Sequence, residues 1–241
     1  MSASPLEQFK ITDLIELKFG GYDLSFTNSA FFMLIGFLIT TTFFIAALRR
    51  ATPIPGKLQS AGEMLHNFIF DTLQENTAGK GEKYMPFIFS LFVFVLTLNL
   101  LGLVPYGFTA TSHLSVTFTL AIIVFILVTV IAILQHKMKF FSFFLPTGTP
   151  LFLAPLMIVI ELFTYLTRPI SLSVRLAANM MAGHILLSVI AGFVTVLGFW
   201  GWLPMSFIIL FDGFEFFVAV LQAYIFTILS CVYLNDAINL H

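Results

Sequence analysis

Residues 84–136 contain no Asp, Glu, Lys or Arg. Soluble domains carry about one charged residue in four, so a run of this length points to a bilayer. A helix of about 20 apolar residues crosses a hydrocarbon core about 30 Å thick. Inside that core only helices and closed barrels satisfy their own backbone groups. Two helical spans fit the run, over 86–104 and 116–134, joined by PYGFTATSHLS. The whole chain agrees: it is 59% hydrophobic and 10% charged, with a mean hydropathy of +1.01. A net charge of −1 leaves no basic footprint for nucleic acid, and the single cysteine, Cys231, excludes an internal disulfide framework or thiolate cluster.

The remaining spans follow in order. Residues 1–28 are polar enough to lie outside the bilayer, and Pro5, Gly20, Gly21 and Asn28 interrupt any long helix. The segment lacks the basic-then-apolar order of a signal peptide. A first span covers 29–48 and stops at Arg49 and Arg50, which the positive-inside bias assigns to the inner side. Residues 56–78 repeat Leu58, Ala61, Met64, Leu65, Phe68, Ile69 and Leu73 at helical spacing, with Glu63, Asn67, Asp71 and Glu75 opposite. This pattern predicts an amphipathic helix on the inner membrane surface; a helix packed on a soluble partner fits it nearly as well. The 86–104/116–134 connection has no Lys or Arg, whereas Lys137 and Lys139 follow the second span, so the bias holds again. Residues 140–154 are apolar but broken by Pro146, Gly148 and Pro150, as in a re-entrant bend. Two long segments complete the chain, 155–198 and 203–235. The first would make roughly 60 Å of helix at 1.5 Å per residue, so it must tilt, kink at Pro169 or lie near the membrane plane. The expectation is one all-α polytopic membrane domain over 1–241. It has about five crossing helices and one surface helix, with the N-terminus outside and the C-terminus inside.

Polar residues concentrate in the two long segments. Glu161, Arg168 and Arg175 are seven apart and drift only about 20° per step, so they share one stripe. Ser171 and Asn179 flank Arg175 at i−4 and i+4, while Ala178 and Ala182 form a small-residue groove that admits another helix. His184 lies about 13 Å beyond Arg175 along the axis and Glu161 about 21 Å before it. On the last helix Glu215 and Gln222 share a face, with Asp212 three before Glu215. A charge at membrane depth costs roughly 2.5–3.5 kcal/mol on insertion scales, and a guanidinium is never neutral. No Asp or Glu stands at i±3 or i±4 from Arg175, so its carboxylate must come from elsewhere, another subunit included. Blander readings stand beside these. Arg168 either snorkels to the interface or pairs with Glu161. Asp212 marks a loop or helix start, His113 and His136 are surface residues at span ends, and Gln222 makes an interhelical hydrogen bond.

RPISLSVRLAANMMAGH, with Glu161 upstream, resembles subunit a of the F-type ATP synthase, the stator half of its membrane proton channel. FEFFVAVLQAYIFTILSCVYLNDAINLH, SPLEQF and LNLLGLVPYGFTATSH resemble the same subunit in its mitochondrial and alphaproteobacterial branch. The similarity spans essentially the whole chain. It places the family's essential arginine on Arg175, its neighbouring asparagine on Asn179, the final-helix glutamine on Gln222 and the inner acidic residue on Glu161. His184 and Glu215 stand exchanged relative to many bacterial relatives, as in mitochondria. Gly102 stands where bacterial relatives can carry an acid.

The resemblance implies a ring of c subunits as rotor, each with a membrane-embedded carboxylate, a peripheral-stalk subunit b and other membrane-sector subunits as neighbours. It implies no cofactor, no metal and no catalytic site in this chain. Protons would reach a ring carboxylate from outside past His184 and Glu215 and leave to the inside past Glu161. Arg175 would face the ring carboxylate, with Asn179 and Gln222 as polar lining and Ser171 and Asp212 as further candidates. The implied location is the mitochondrial inner membrane or, alternatively, a bacterial one. A lone secondary transporter would use Arg175 as a substrate counter-ion, but no internal repeat supports it. A haem enzyme would need axial ligands at depth, where only His184 is available. A purely structural subunit would conduct protons equally well without Arg175.

Overall fold

The chain is described from a computed structural model, over residues 10–16, 18–19, 22–23, 25–49, 55–104, 107–137, 140 and 152–239. Six α-helices carry the architecture: α1 (Asn28–Leu48), α2 (Lys57–Thr77), α3 (Met85–Gly102), α4 (Leu114–His136), α5 (Ala154–Leu197) and α6 (Trp202–Ile238). Four stretches are long and apolar enough to cross a membrane, and the last, Ala154–Ile238, contains both α5 and α6. The fold is an all-α polytopic membrane protein. Most of the bend expected over residues 140–154 lies outside the described residues, as do the breaks expected at Pro5, Gly20 and Gly21.

Before α1 the chain forms an element that its polarity did not suggest. β1 (Asp13–Ile15) pairs antiparallel with β4 (Phe26–Thr27), and β2 (Lys18–Phe19) pairs with β3 (Tyr22–Asp23) between them. Asn28 ties this hairpin to α1: its amide donates to the Lys10 carbonyl and its Oδ1 accepts from the Thr12 and Ser29 N–H groups. Thr27 supplies the N-cap, its hydroxyl accepting from Ala30 N–H at 3.3 Å.

The core is built on α3 and α6, and small residues set their separation. Ala219 and Ala223 of α6 are fully buried. The Asn99 side-chain amide donates to the Ala219 carbonyl at 3.0 Å, a bond worth more here than at a wet surface because neither group has water to return to. α1 joins the other side of α3 through Thr40 and Thr97, whose hydroxyls are 3.0 Å apart. Gly36 adds a close approach there, since a Cβ on it would meet Leu98 at 2.8 Å. Below, the end of α6 is held by α4 and the α2–α3 connection. His136 bonds the Ala237 carbonyl at 3.0 Å, and Lys80 Nζ donates to Asn239 at 2.5 Å. His136 is thus a half-buried clamp rather than the surface residue expected.

α2 buries part of the stripe its apolar spacing suggests, Ile69 and Leu73 with Leu65 beside them, together with polar neighbours. Gln59, Gly62, Ile69, Thr72, Leu73 and Thr77 face the bundle, while Leu58, Met64 and Phe68 are exposed. Gly62 faces the end of α1, where a Cβ would make ordinary contact with Ala47 and Phe44 at 3.7 Å. The exposed apolar residues are then free to meet lipid.

α5 is 44 residues long, about 66 Å of helix. Pro169 lies inside it without ending it, although its ring removes the N–H that would bond the Tyr165 carbonyl. Gly198, at φ 52°, stops the helix by taking a backbone conformation that costs glycine nothing.

Candidate functional site

α5 and α6 pack along each other, and the polar residues of both separate into three levels. At the first level, nearest the α3–α4 connection, His184 of α5 faces Glu215 of α6, with Nε2 3.7 Å from Glu215 Oε1. Glu215 is buried, and among the described residues neither of its oxygens has a hydrogen-bond partner. A buried, unpartnered carboxylate is costly unless water or a proton reaches it. Two cavities adjoin it. A cavity of about 650 Å³ is lined by His184, Glu215, Asp212, Asn28 and the α3–α4 connection. A second, of about 370 Å³, runs from Glu215 along the α5–α6 seam to Asn179 and Gln222. Both far exceed the roughly 30 Å³ share of one water in the liquid. Glu215 borders the two.

Gly183 makes this position possible. A Cβ on it would come within 2.5 Å of Glu215 Oε1 and 2.9 Å of Cδ, so only glycine lets the carboxyl group lie against α5. The sequence offered Gly183 merely as a neighbour of His184; its partner lies on another helix and no local signal marks it. Asp212 stands inside α6, exposed, on the wall of the larger cavity, and not at a helix start. His113, which caps α4, stacks on Phe108 at 5.0 Å. Burial lowers its pKa, which favours a neutral ring near pH 7.

Arg175 occupies the middle level. Leu172, Ser173, Leu176, Ala177 and Met180 bury one side of this turn of α5, whereas Ser171, Arg175, Ala178 and Asn179 are exposed on the other. Among the described residues no carboxylate lies within 4.0 Å of the Arg175 guanidinium. The cation therefore projects from a small-residue face of the longest helix, outside the chain's own core. Gln222 is buried on α6 and lines the α5–α6 cavity together with Asn179.

The third level corrects one pairing. Arg168 does not take Glu161 as its partner: NH1 lies 3.0 Å from Asp236 Oδ2 on α6. Its guanidinium sits between the rings of Tyr165 at 5.4 Å and Tyr233 at 5.1 Å, within cation–π range. The Tyr165 hydroxyl is 2.6 Å from Thr129 of α4, so three helices converge on this cation. Glu161 stands two turns earlier, half-buried. Arg175 also acts electrostatically on Tyr233, which puts the middle and third levels in reach of one another.

The family described as ATP synthase A chain has a sequence model that matches residues 30–235. The chain belongs to the ATP synthase A chain family. The match takes in all six helices but for the first residues of α1 and the last of α6. It makes the chain a multi-pass, proton-translocating subunit of the ATP synthase membrane sector. Such a subunit is not itself catalytic, and it works alongside other membrane-sector components, the c-ring among them.

Proposed function

We propose that this A-chain protein forms two offset proton half-channels that load and unload the carboxylates of a rotating c-ring, coupling proton flow to ATP synthesis. The observation that carries the reading is the position of Glu215 between the outer cavity and the seam that leads to Asn179 and Gln222. Protons arriving through the outer cavity pass His184 and Glu215, with Asp212 raising the negative potential at the mouth. Asn179 and Gln222 line the route onward to a ring carboxylate held against the exposed face of α5. A protonated carboxyl can then face lipid, which an ionised one does only at a cost of several kcal/mol.

After the ring turns, Arg175 meets the returning carboxylate and favours its ionised form. The released proton leaves on the Glu161 side, with Ser171 as a further polar contact. Arg175 cannot relay a proton itself, having five donors and no acceptor, so it separates the two paths. Each proton crossing contributes about 2.3 kcal/mol per 100 mV of membrane potential. Ala178 and Ala182 support the ring contact, because small exposed residues let a second helix approach closely.

The N-terminal hairpin and the His184–Glu215 end belong outside in this reading, and α2 belongs on the inner surface, available to a peripheral-stalk subunit b. Arg49, Lys137 and the uncharged α3–α4 connection support that orientation. The motif resemblance favours a mitochondrial inner membrane over a bacterial one. Glu215→Gln in the intact complex tests the route: proton-driven ATP synthesis should slow severalfold with assembly unaffected, and an unchanged rate would remove Glu215 from the path.

A further inference from the structure

Two polar side chains among the described residues approach His184 Nε2, and one of the two is at bonding distance. Thr109 Oγ1 lies 2.7 Å away, whereas Glu215 Oε1 lies 3.7 Å away, beyond a hydrogen bond. Thr109 belongs to neither long helix. It is buried in the α3–α4 connection, and three contacts fix it there. Its hydroxyl reaches the Gly102 carbonyl at 3.3 Å, and its own carbonyl accepts from the Ser112 hydroxyl at 2.7 Å. Its side chain also fills the space above Gly102, where a Cβ would approach within 2.6 Å of Thr109 Cγ2. The absence of a side chain at Gly102 is therefore what lets Thr109 reach across to α5.

Nε2 can serve one partner at a time. When it carries a proton it donates, to the threonine hydroxyl or to the carboxylate; when bare it accepts, from the hydroxyl or from a protonated carboxyl. A hydroxyl suits both states, because it is donor and acceptor at once. Among the described residues the other titratable groups at this wall are Glu215 and Asp212, both on α6; Asn28, from the start of α1, adds a neutral polar group.

We propose that Thr109 is a positioning residue of the outer proton path, holding His184 Nε2 off Glu215 between transfers so that the two do not settle into a closed ion pair. This rests on the reading that protons pass His184 and Glu215. The step balances within the chain. Imidazolium donates from Nε2 to Thr109 Oγ1, whose own proton points to the Gly102 carbonyl. A ring shift of about 1 Å, the difference between the two distances, brings Nε2 to Glu215. The N–H bond breaks, an O–H bond forms on the carboxylate, and both groups become neutral. The bare Nε2 then accepts from the Thr109 hydroxyl, which has turned away from Gly102.

The test uses the complete ATP synthase in sealed vesicles, with rates normalised to assembled complex. Thr109→Val keeps the shape and removes the hydroxyl; Thr109→Ser keeps the hydroxyl. Valine should lower proton-driven ATP synthesis roughly three- to tenfold, the fold-change of one net hydrogen bond, and move the dependence on outer pH. Serine should restore both. His184→Ala, run in parallel, separates the two levels of inference. If it impairs synthesis while valine behaves as wild type, or if serine loses as much as valine, the positioning role is wrong and the proton path stands. If His184→Ala is itself silent, the path fails and the positioning role with it. Should the valine form not assemble, Thr109→Ala against Thr109→Ser decides: equal rates overturn the proposal, and a loss confined to alanine supports it.

Discussion

Arg168 on α5 and Asp236 on α6 lie 68 positions apart in the sequence and 3.0 Å apart in space. The pair fixes the inner end of α5 against the inner end of α6, and its place between Tyr165 and Tyr233 leaves the guanidinium little freedom. It gives the two long helices a fixed register below Arg175. Arg168→Gln or Asp236→Asn should each destabilise the subunit by about 1.5–3 kcal/mol, the range for a hydrogen bond to a charged group. The double variant should lose less than the sum of the two, because removing both partners leaves no orphaned charge. The midpoint temperature at which the subunit dissociates from purified complex measures each effect.

Gly183 is expected to be as sensitive as the charged residues around it. Alanine would favour α5 by about 1 kcal/mol of helix propensity, yet its methyl would stand 2.5 Å from Glu215 Oε1. Gly183→Ala should therefore assemble normally and slow proton-driven ATP synthesis severalfold, as Glu215→Gln does, because Glu215 is pushed from its place between the cavities. Loss of assembled complex instead would show that the glycine serves packing. The comparison needs only an immunoblot and a synthesis assay.

Access to the two sides can be read with thiol reagents. Cys231 is fully buried, so the unmodified complex should resist a small membrane-impermeant maleimide. Asp212→Cys should react from the outer side only, since Asp212 is exposed on the wall of the outer cavity. Reaction from the inner side would reverse the orientation.

The α3–α6 contact makes a prediction about packing alone. Ala219 is fully buried and its carbonyl accepts from Asn99. Ala219→Leu should cost about 1–3 kcal/mol through overpacking, seen as a lower yield of assembled complex, while Ala219→Gly should be tolerated far better.

The membrane architecture is legible in the sequence because apolar runs and their charged ends are local, and the helices need little more. The polar levels of α5 are also local, since a helix turns 100° per residue and fixes which residues share a stripe. Partners across helices are not local. Nothing near Arg168 points to Asp236, nothing near His184 points to Thr109, 75 positions earlier, and Gly183 has no meaning until Glu215 lies against it. The small β-hairpin before α1 was hidden for another reason: its strands are two or three residues long, too short for an alternating pattern. α2 showed its buried face only in part: Ile69 and Leu73 lie on it, but so do the polar Gln59, Thr72 and Thr77, which no apolar spacing marks.

Arg175 carries the central claim, an exposed cation that meets a carboxylate from outside the chain and keeps the two proton paths apart. Arg175→Ala in the reconstituted ATP synthase tests it most directly, with ATP-driven proton pumping and passive proton permeability measured on the same vesicles. Pumping should be lost and passive permeability should rise, because the fixed charge between the paths is gone. Pumping at the wild-type rate, with no added leak, would contradict the account.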